Sequence, residues 1–342
     1  VGAISSWTWR TRLPPRWTLS KPAARIGQGE PNRLLSPSRM MLPQLGFGAW
    51  VPMQDVPAVW AGVVGIFRDH GYRRLRNRAR LKFLVSDWGP ERFREVLETD
   101  YLGRRLLDGP APVEDPTRRR DHLGVHPQVD GNFWVGVAPI GGRVSGTILA
   151  AVADLAAQHG SGRIRLTAHQ KLLVLDVPEA ETAALVEALD ALGLPATPSE
   201  WRRGVLACTG IEYCKLALVE TKARARSAVE ELERRIPDLD APVTIHVNGC
   251  PNSCARFQVA DIGLKGLVVT GASGETVDGF QVHLGGALGG NARLARKTRA
   301  LRVEADDLVD YVDRVVTRFR TDQTPGESFA EWAHRADEEA LR

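Results

Sequence analysis

The sequence predicts an α+β protein in which a small helix-and-sheet unit precedes a larger mixed α/β domain. Three observations predict this class. Residues 122–200 contain strand, helix, strand, strand and helix patterns in that order, which is most of a ferredoxin-like half-domain. Residues 201–320 continue with further helical and strand-like segments. All four cysteines lie in this second region, between Cys208 and Cys254.

The composition is that of an ordinary globular protein. The chain has 342 residues, of which 43% are hydrophobic and 25% charged, enough for about two or three domains. No run of about 18 uncharged apolar residues is present, so we expect no transmembrane helix and no membrane partner. The pI of about 9.0 raises the question of a nucleic-acid partner.

The basic excess belongs to the first 41 residues. They hold seven basic side chains and one acidic side chain, a net charge of +6, and the rest of the chain has a net charge of −2. We therefore expect no nucleic-acid partner. The segment starts with Val and lacks the apolar core of a secretory signal. An organellar transit peptide has a similar composition, but we interpret residues 1–42 as a disordered or non-native extension.

Residues 43–107 show two helical segments. The first, 55–70, has apolar residues at helical spacing, with Asp55 as a candidate N-cap and Pro57 in the first turn. The second is 90–97, and a dense basic run, YRRLRNRARLK, lies between them. Three prolines and alternating charges predict a linker at residues 108–121.

The remaining helices and strands are predicted from the periodicity of apolar residues and from glycines that end helices. Within residues 122–200 we expect a strand at 132–138, a helix at 147–159, two strands inside 163–177 and a helix at 180–192. Within residues 201–322 we expect helices at 215–235 and 306–318 and strands at 243–247 and 279–284. Residues 323–342 are expected to form a C-terminal tail.

The cysteines are spaced C-x5-C and C-x3-C, with 35 residues between the two pairs. A disulfide framework is typical of short secreted chains, which this chain does not resemble. Structural zinc sites commonly use C-x2-C pairs, which are tighter than either pair here. If Pro251 opened a helix, Cys250 and Cys254 would stand one turn apart and point the same way. A 4Fe–4S cluster needs four thiolates around an object larger than a single ion. The spacing favours an iron–sulfur cluster, with zinc as the alternative.

The stretches CTGIEYC and NGCPNSC resemble the paired signature of the siroheme-containing nitrite and sulfite reductases. Similar stretches include GIFRDHGYRR, HLGVHPQVDG, GSGRIRLTAHQKLLVLDVPE and HLGGALGG, and the resemblance covers about residues 44–342. It implies a siroheme and 4Fe–4S domain at residues 201–322. The implied activity is the six-electron reduction of nitrite to ammonia or of sulfite to sulfide. Because no flavin or NAD(P) motif is present, it also implies ferredoxin as the electron donor.

The resemblance assigns a role to each cysteine. Cys208, Cys214 and Cys250 would be cluster ligands, and Cys254 would be a ligand that also bridges to the siroheme iron. The other axial position of that iron would stay open for substrate. Four unpaired thiols reserved for iron fit a reducing cytoplasm.

Siroheme carries eight carboxylates, so a cationic pocket is expected. The even spacing of three basic residues would put them on one face of an extended segment, with a solvated basic face as the alternative: Arg76, Arg80 and Lys82. Four further candidates lie in RIRLTAHQ, which is similar to a family element that approaches the cofactor, with cross-strand packing as the alternative: Arg163, Arg165, Thr167 and Gln170.

Two glycine-containing segments are expected to lie beside the cofactors. Asn248 and Gly249 precede Cys250 and would shape the turn and hydrogen-bond cluster sulfurs. The segment HLGGALGG, which begins at His283, does not match the G-x-G-x-x-G dinucleotide fingerprint. The resemblance implies a close-approach loop there, and a plain glycine turn is the alternative.

The family has two tandem halves, and only one half-domain, residues 122–200, is recognisable here. We therefore interpret residues 43–107 as the remnant of a first siroheme-binding half and expect a chain truncated at its amino end. The basic residues that clamp the substrate would then be missing. We assign no catalytic residue and expect impaired activity. The alternatives are a non-catalytic iron–sulfur or tetrapyrrole-binding fragment and, less favoured, a zinc-stabilised binding protein.

Overall fold

The computed structural model describes residues 16–18, 48–75, 78–109, 121–271, 273–288 and 292–342. The chain divides into two compact units, residues 1–115 and 116–342. Most of the proposed extension, most of the proposed linker and Arg76 lie outside the described residues. None of the described helices is long and apolar enough to cross a membrane.

The first unit packs helices beside a small antiparallel sheet. The strands, in the order β1-β2-β3, are β1 (Arg16–Thr18), β2 (Ala49–Pro52) and β3 (Leu107–Asp108). The helices are α1 (Val56–His70), α2 (Leu81–Trp88) and α3 (Pro90–Val96), which continues as the π-helical segment Leu97–Leu102. Their core includes Val59, Ile66, Leu84 and Phe93.

Helix α2 begins at the end of the basic run, part of which the sequence predicted to be extended. Leu84 and Val85 are buried and Leu81 and Trp88 pack against the same core, so the apolar residues have helical spacing. Arg80 is extended and exposed at the N-cap, whereas Lys82 lies inside the helix, 5.1 Å from the Phe83 ring. The prediction that these two residues share one face of an extended segment is therefore wrong.

The second unit begins with a four-stranded antiparallel sheet. Its strands, in the order β4-β5-β7-β6, are β4 (Gly124–Pro127), β5 (Phe133–Val137), β6 (Ile164–Leu166) and β7 (Leu172–Val177). Helices α4 (Gly146–His159) and α5 (Thr182–Ala191) pack on it around Val135, Val152 and Leu185. The Ser145 hydroxyl caps α4 by accepting the Ile148 N–H. The predicted ferredoxin-like order is confirmed, and β4 is an additional strand.

A five-stranded mixed sheet follows α6 (Glu200–Gly204). Its order is β12-β11-β10-β9-β8, and only the pairs β8–β9 and β9–β10 are parallel. The strands are β8 (Val205–Ala207), β9 (Ile245–Asn248), β10 (Ile262–Thr270), β11 (Thr276–Leu284) and β12 (Arg296–Glu304). The helices are α7 (Lys222–Arg235), α8 (Leu308–Asp322) and α9 (Phe329–Arg335), and they share a core with Ile262, Leu264 and Phe280.

The C-terminal segment is not a tail. Ser328 forms a capping box with Glu331 at the start of α9. The buried rings of Phe329 and Trp332 pack against Phe319 of α8, with centroid separations of 5.3 and 5.6 Å. These apolar contacts make residues 323–342 part of the cysteine-containing domain, which corrects the sequence-based boundary at residue 322.

Candidate functional site

The cysteines lie at one edge of the mixed sheet. Strands β8 and β9 are parallel neighbours with Ala207 opposite Val247, so both strands end at the same edge. Cys208 follows β8 directly, and its N–H donates to the Val247 carbonyl at 2.9 Å. Cys250 follows the end of β9 by two residues. The topology therefore brings the two cysteine motifs together from distant parts of the sequence.

A main-chain hydrogen bond to sulfur links the two loops. The Gly249 N–H donates to the Cys208 Sγ at 3.2 Å, and the Leu218 N–H donates to the Gly249 carbonyl at 2.7 Å. A Cβ at position 249 would lie 3.0 Å from the Ala217 Cβ. The contact therefore holds the Cys208 sulfur against the loop that leads to Cys250.

The first cysteine loop is folded by its own turns. The Cys214 N–H donates to the Gly210 carbonyl at 3.1 Å, and Gly210 has a φ of +73°. The buried Thr221 hydroxyl donates to the Cys208 carbonyl at 2.8 Å. A further turn, in which the Ala217 N–H donates to the Cys214 carbonyl at 3.2 Å, occupies the start of the helix predicted at 215–235, and α7 begins only at Lys222.

The second cysteine loop is a series of turns, and the helix expected at Pro251 is absent from this described segment. Ser253 and Arg256 have φ values of +62° and +58°, which a helix does not allow. The buried Asn248 side chain holds the turn. With its amide oriented to satisfy its neighbours, the oxygen accepts from the N–H groups of Cys254 at 2.9 Å and Ala255 at 3.1 Å.

The four thiols differ in burial. Cys250 is buried, Cys208 and Cys214 are half-buried, Cys254 is exposed, and all four are free. The disulfide framework weighed from the sequence is therefore not formed. Within the described ranges, no three His, Cys, Asp or Glu side chains are arranged to share a single metal ion. Four thiols on two converging loops fit the donor set of a 4Fe–4S cluster.

The residues of the RIRLTAHQ motif have separate roles in the structure. Arg163 forms an ion pair with Asp176 at 2.5 Å, which holds the pKa of that carboxyl well below its usual range. Arg165 is exposed on β6. The Thr167 hydroxyl accepts from the N–H of Lys171 at 3.1 Å and so stabilises the hairpin turn. Of these four candidates, Gln170 is the one that forms side-chain hydrogen bonds to the cysteine region, two of them to Ala207.

The remaining candidates are distributed over both units. Arg80 and Lys82 belong to the first unit. In the second unit, the His283 Nε2 is buried without a hydrogen-bond partner, and burial lowers the pKa of this imidazole to about 4. Gly285 has a φ of +78°. Its N–H donates to the Asp261 carbonyl at 2.8 Å, and its own carbonyl lies 2.9 Å from the His334 Nε2. The last two glycines of this segment lie outside the described residues.

Two further contacts join the half-domain to the cysteine loops. Arg143 forms a bidentate ion pair with Glu212, at 2.6 and 2.8 Å, between the first two cysteines. Arg256, two residues after the last cysteine, donates to the Ala168 carbonyl at 3.1 Å. The partners are 69 and 88 residues apart in sequence, and no local pattern signals such pairs.

Two family profiles match the chain. The profile described as the nitrite and sulphite reductase 4Fe-4S domain matches residues 33–106 and 200–342. The profile described as the nitrite/sulfite reductase ferredoxin-like half domain matches residues 126–192. Together they cover both cysteine loops and the sheet-and-helix unit that precedes them.

Similar proteins include reductases for both substrates. The ferredoxin sulfite reductase of Mycobacterium tuberculosis is 57% identical over 301 residues, which is 86% of this chain and 54% of that protein. The ferredoxin–nitrite reductase of Synechococcus elongatus is 37% identical over 281 residues, 82% of this chain and 54% of that protein. The solved structure of the Mycobacterium tuberculosis NirA protein matches with a TM-score of 0.81 and 57% identity, over 87% of this chain and 55% of that chain. The chain thus spans about half the length of these relatives.

Proposed function

Because the chain belongs to the nitrite and sulfite reductase family, we propose that it holds a 4Fe–4S cluster and siroheme. We further propose that it serves the six-electron reduction of sulfite to sulfide or of nitrite to ammonia. The observation that carries the proposal is that the two loops after β8 and β9, which carry four free cysteines, contact each other through Gly249. The proposed cluster ligands are Cys208, Cys214, Cys250 and Cys254.

The exposure of Cys254 supports a second role for its sulfur. The other three thiols are buried or half-buried, so Cys254 has the sulfur that a second metal centre could approach. We assign it the bridge to the siroheme iron. The buried Asn248 amide holds the main chain of this cysteine by accepting its N–H.

Cationic side chains would meet the carboxylates of siroheme. Arg80 and Arg165 are exposed, which leaves their guanidinium groups available to an anionic ligand, and Arg76 and Lys82 remain candidates from the sequence. Arg163 is a weaker candidate because Asp176 already neutralises it. Thr167 and Gln170 would contribute by shaping the hairpin beside the cysteine loops.

When bound, the two cofactors supply single-electron transfer and a substrate-binding iron. The protein itself would hold the ligand cysteines in place and control the charge and hydration of their sulfurs. The Gly249 N–H stabilises negative charge on the Cys208 sulfur, and burial of Cys250 keeps water from that ligand. The reductant must come from outside the chain, and we propose ferredoxin as the donor in a reducing cytoplasm.

Sulfite is the first substrate to test, because the sulfite reductase relative is 57% identical and the nitrite reductase relative is 37% identical. The chain is purified without oxygen, reconstituted with iron, sulfide and siroheme, and assayed with reduced methyl viologen. A siroheme spectrum together with sulfide formation supports the proposal, and ammonia formation from nitrite supports the second substrate. A cluster spectrum without siroheme bands would leave only the iron–sulfur fragment that the sequence offered as an alternative.

A further inference from the structure

We propose that Gln170 is a positioning residue for the cysteine site, acting through the end of β8 on Cys208. The inference rests on the proposed function, because it concerns a cysteine assigned to the cluster. Gln170 lies in the turn between β6 and β7 of the half-domain, whereas Cys208 belongs to the following domain. The side chain therefore connects the ferredoxin-like unit to a proposed metal ligand.

Strand β8 has one side that pairs with no other described strand. In the parallel pair β8–β9, the Cys208 N–H is directed at β9 and donates to the Val247 carbonyl. The main-chain groups of Ala207, one residue earlier, are directed the opposite way because they alternate along a strand. Among the described strands, β8 is the last of its sheet, so no strand receives them. Edge groups of this kind need another partner when they are buried.

Gln170 supplies that partner with both ends of its amide. Its Nε2 donates to the Ala207 carbonyl at 2.7 Å, and its Oε1 accepts from the Ala207 N–H at 3.2 Å. The side-chain amide thus takes the place of a peptide group in a missing neighbouring strand. Ala207 is fully buried, so loss of the side chain would leave its N–H and carbonyl without these two hydrogen bonds.

The surrounding backbone is arranged around this side chain. Gln170 adopts a left-handed conformation, with a φ of +58°, and its N–H donates to the Thr167 carbonyl at 3.1 Å. A Cβ at Gly142 would lie 2.5 Å from the Gln170 Cβ and 3.0 Å from its Oε1. Because Gly142 has no side chain, there is space for the side chain of Gln170.

A shift of Ala207 would also displace the sulfur of Cys208. Cys208 is the next residue, and its sulfur accepts the Gly249 N–H at 3.2 Å. Hydrogen bonds to ligand sulfurs set the potential and the retention of iron–sulfur clusters. Loss of the Gln170 amide is therefore expected to weaken cluster binding and to change the spectrum of the reduced cluster.

The test compares Gln170→Met with Gln128→Met in the full chain reconstituted with iron and sulfide. Gln128 also uses both ends of its amide inside the half-domain: its Nε2 donates to the Asp176 carboxylate and its Oε1 accepts the Asp176 N–H, both at 2.9 Å. The control therefore also removes two amide hydrogen bonds to one residue, and that residue is not next to a cysteine. We expect Gln170→Met to release iron to a chelator roughly 10- to 100-fold faster than the wild type and to shift the electron paramagnetic resonance signal of the reduced cluster. Gln128→Met should match the wild type in both.

Gln170→Glu is the second variant, because its carboxylate keeps an acceptor for the Ala207 N–H and lacks the donor for the carbonyl. We expect an intermediate release rate, and this variant decides the question if Gln170→Met does not fold. Equal release rates and spectra for the two glutamine positions would overturn the positioning role. A wild-type chain that takes up no cluster would instead contradict the proposed function, so the two failures are distinguishable.

Discussion

The main-chain N–H of Gly249 donates to the sulfur of Cys208 at 3.2 Å, across 41 residues of sequence. This contact shows how the protein joins two cysteine motifs that are far apart in the chain. It depends on the parallel pairing of β8 with β9, which aligns the ends of the two strands. The same pairing places Asn248 at the end of β9, where its side chain orders the turn that leads to Cys254.

The first prediction concerns the close packing at Gly249. In Gly249→Ala the new methyl group would meet the Ala217 Cβ at 3.0 Å and the Val219 carbonyl oxygen at 3.1 Å. We expect a loss of about 1–3 kcal/mol in unfolding free energy from overpacking, with reduced cluster uptake. Urea unfolding and iron content measure the two effects. Gly146→Ala, at the start of α4, where the Cβ meets nothing within 4 Å, is the control and should lower neither.

A second prediction concerns the acceptor at position 248. Asn248→Ala leaves the N–H groups of Cys254 and Ala255 without their side-chain partner. We expect a loss of about 1–3 kcal/mol in stability and lower iron retention. Asn248→Asp keeps an acceptor oxygen and should restore most of the retention. If Asn248→Ala and Asn248→Asp release iron at the same rate, the hydrogen bonds from Asn248 do not stabilise the turn that contains Cys254.

A third prediction follows from the buried amine of Lys171. Its side chain is 1% exposed, its Nζ donates to the Arg202 carbonyl at 3.3 Å, and burial lowers its pKa to about 8. Below pH 8 the folded protein must bury the charge. Between about pH 8 and 10.5 the unfolded chain binds one more proton than the folded chain, so stability rises with pH.

Lys171→Met removes that penalty. We expect the variant to be more stable than the wild type at pH 7, by up to about 3 kcal/mol, and the advantage to shrink as the pH rises to 10. Urea unfolding of both proteins at pH 7, 8.5 and 10 measures the difference in their unfolding free energies. Groups that titrate in the same way in both proteins do not contribute to this difference. A difference that stays constant with pH would show that Lys171 is charged in the folded protein throughout this range.

A fourth prediction tests the role of the C-terminal helix. Trp332 is fully buried against Phe319, and Trp332→Ala should cost about 3–5 kcal/mol in stability. Ser328→Ala removes one side of the capping box and should cost about 1 kcal/mol. Both effects should appear in the same cooperative unfolding transition as the cysteine domain. A separate, earlier transition would show that α9 is an independent segment.

Local patterns allowed much of this architecture to be predicted. Helices α1, α4 and α5 have clear apolar periodicity and end at glycines or other stop signals, and the cysteine spacing located the candidate site. Helix α2 was missed because the basic run before it suggested an extended segment, whereas apolar residues at helical spacing, Leu81, Leu84, Val85 and Trp88, favour the helix.

The contacts that hold the site could not be predicted from local sequence. The hydrogen bonds of Gln170 to Ala207 span 37 residues and depend on where β8 ends as an edge strand. The turn after Cys250 likewise depends on a buried amide, whereas proline at position 251 suggested a helix. Tertiary pairing determined these features, and the sequence contains no short-range signal for them.

We propose that the four cysteines jointly hold one 4Fe–4S cluster. The most direct measurement is the iron and acid-labile sulfide content of the chain after reconstitution without oxygen, for the wild type and for Cys250→Ser. We predict about four iron atoms and four sulfides per wild-type chain, and a large loss of both in the variant. A single metal ion without sulfide, or equal contents in the two proteins, would contradict the account.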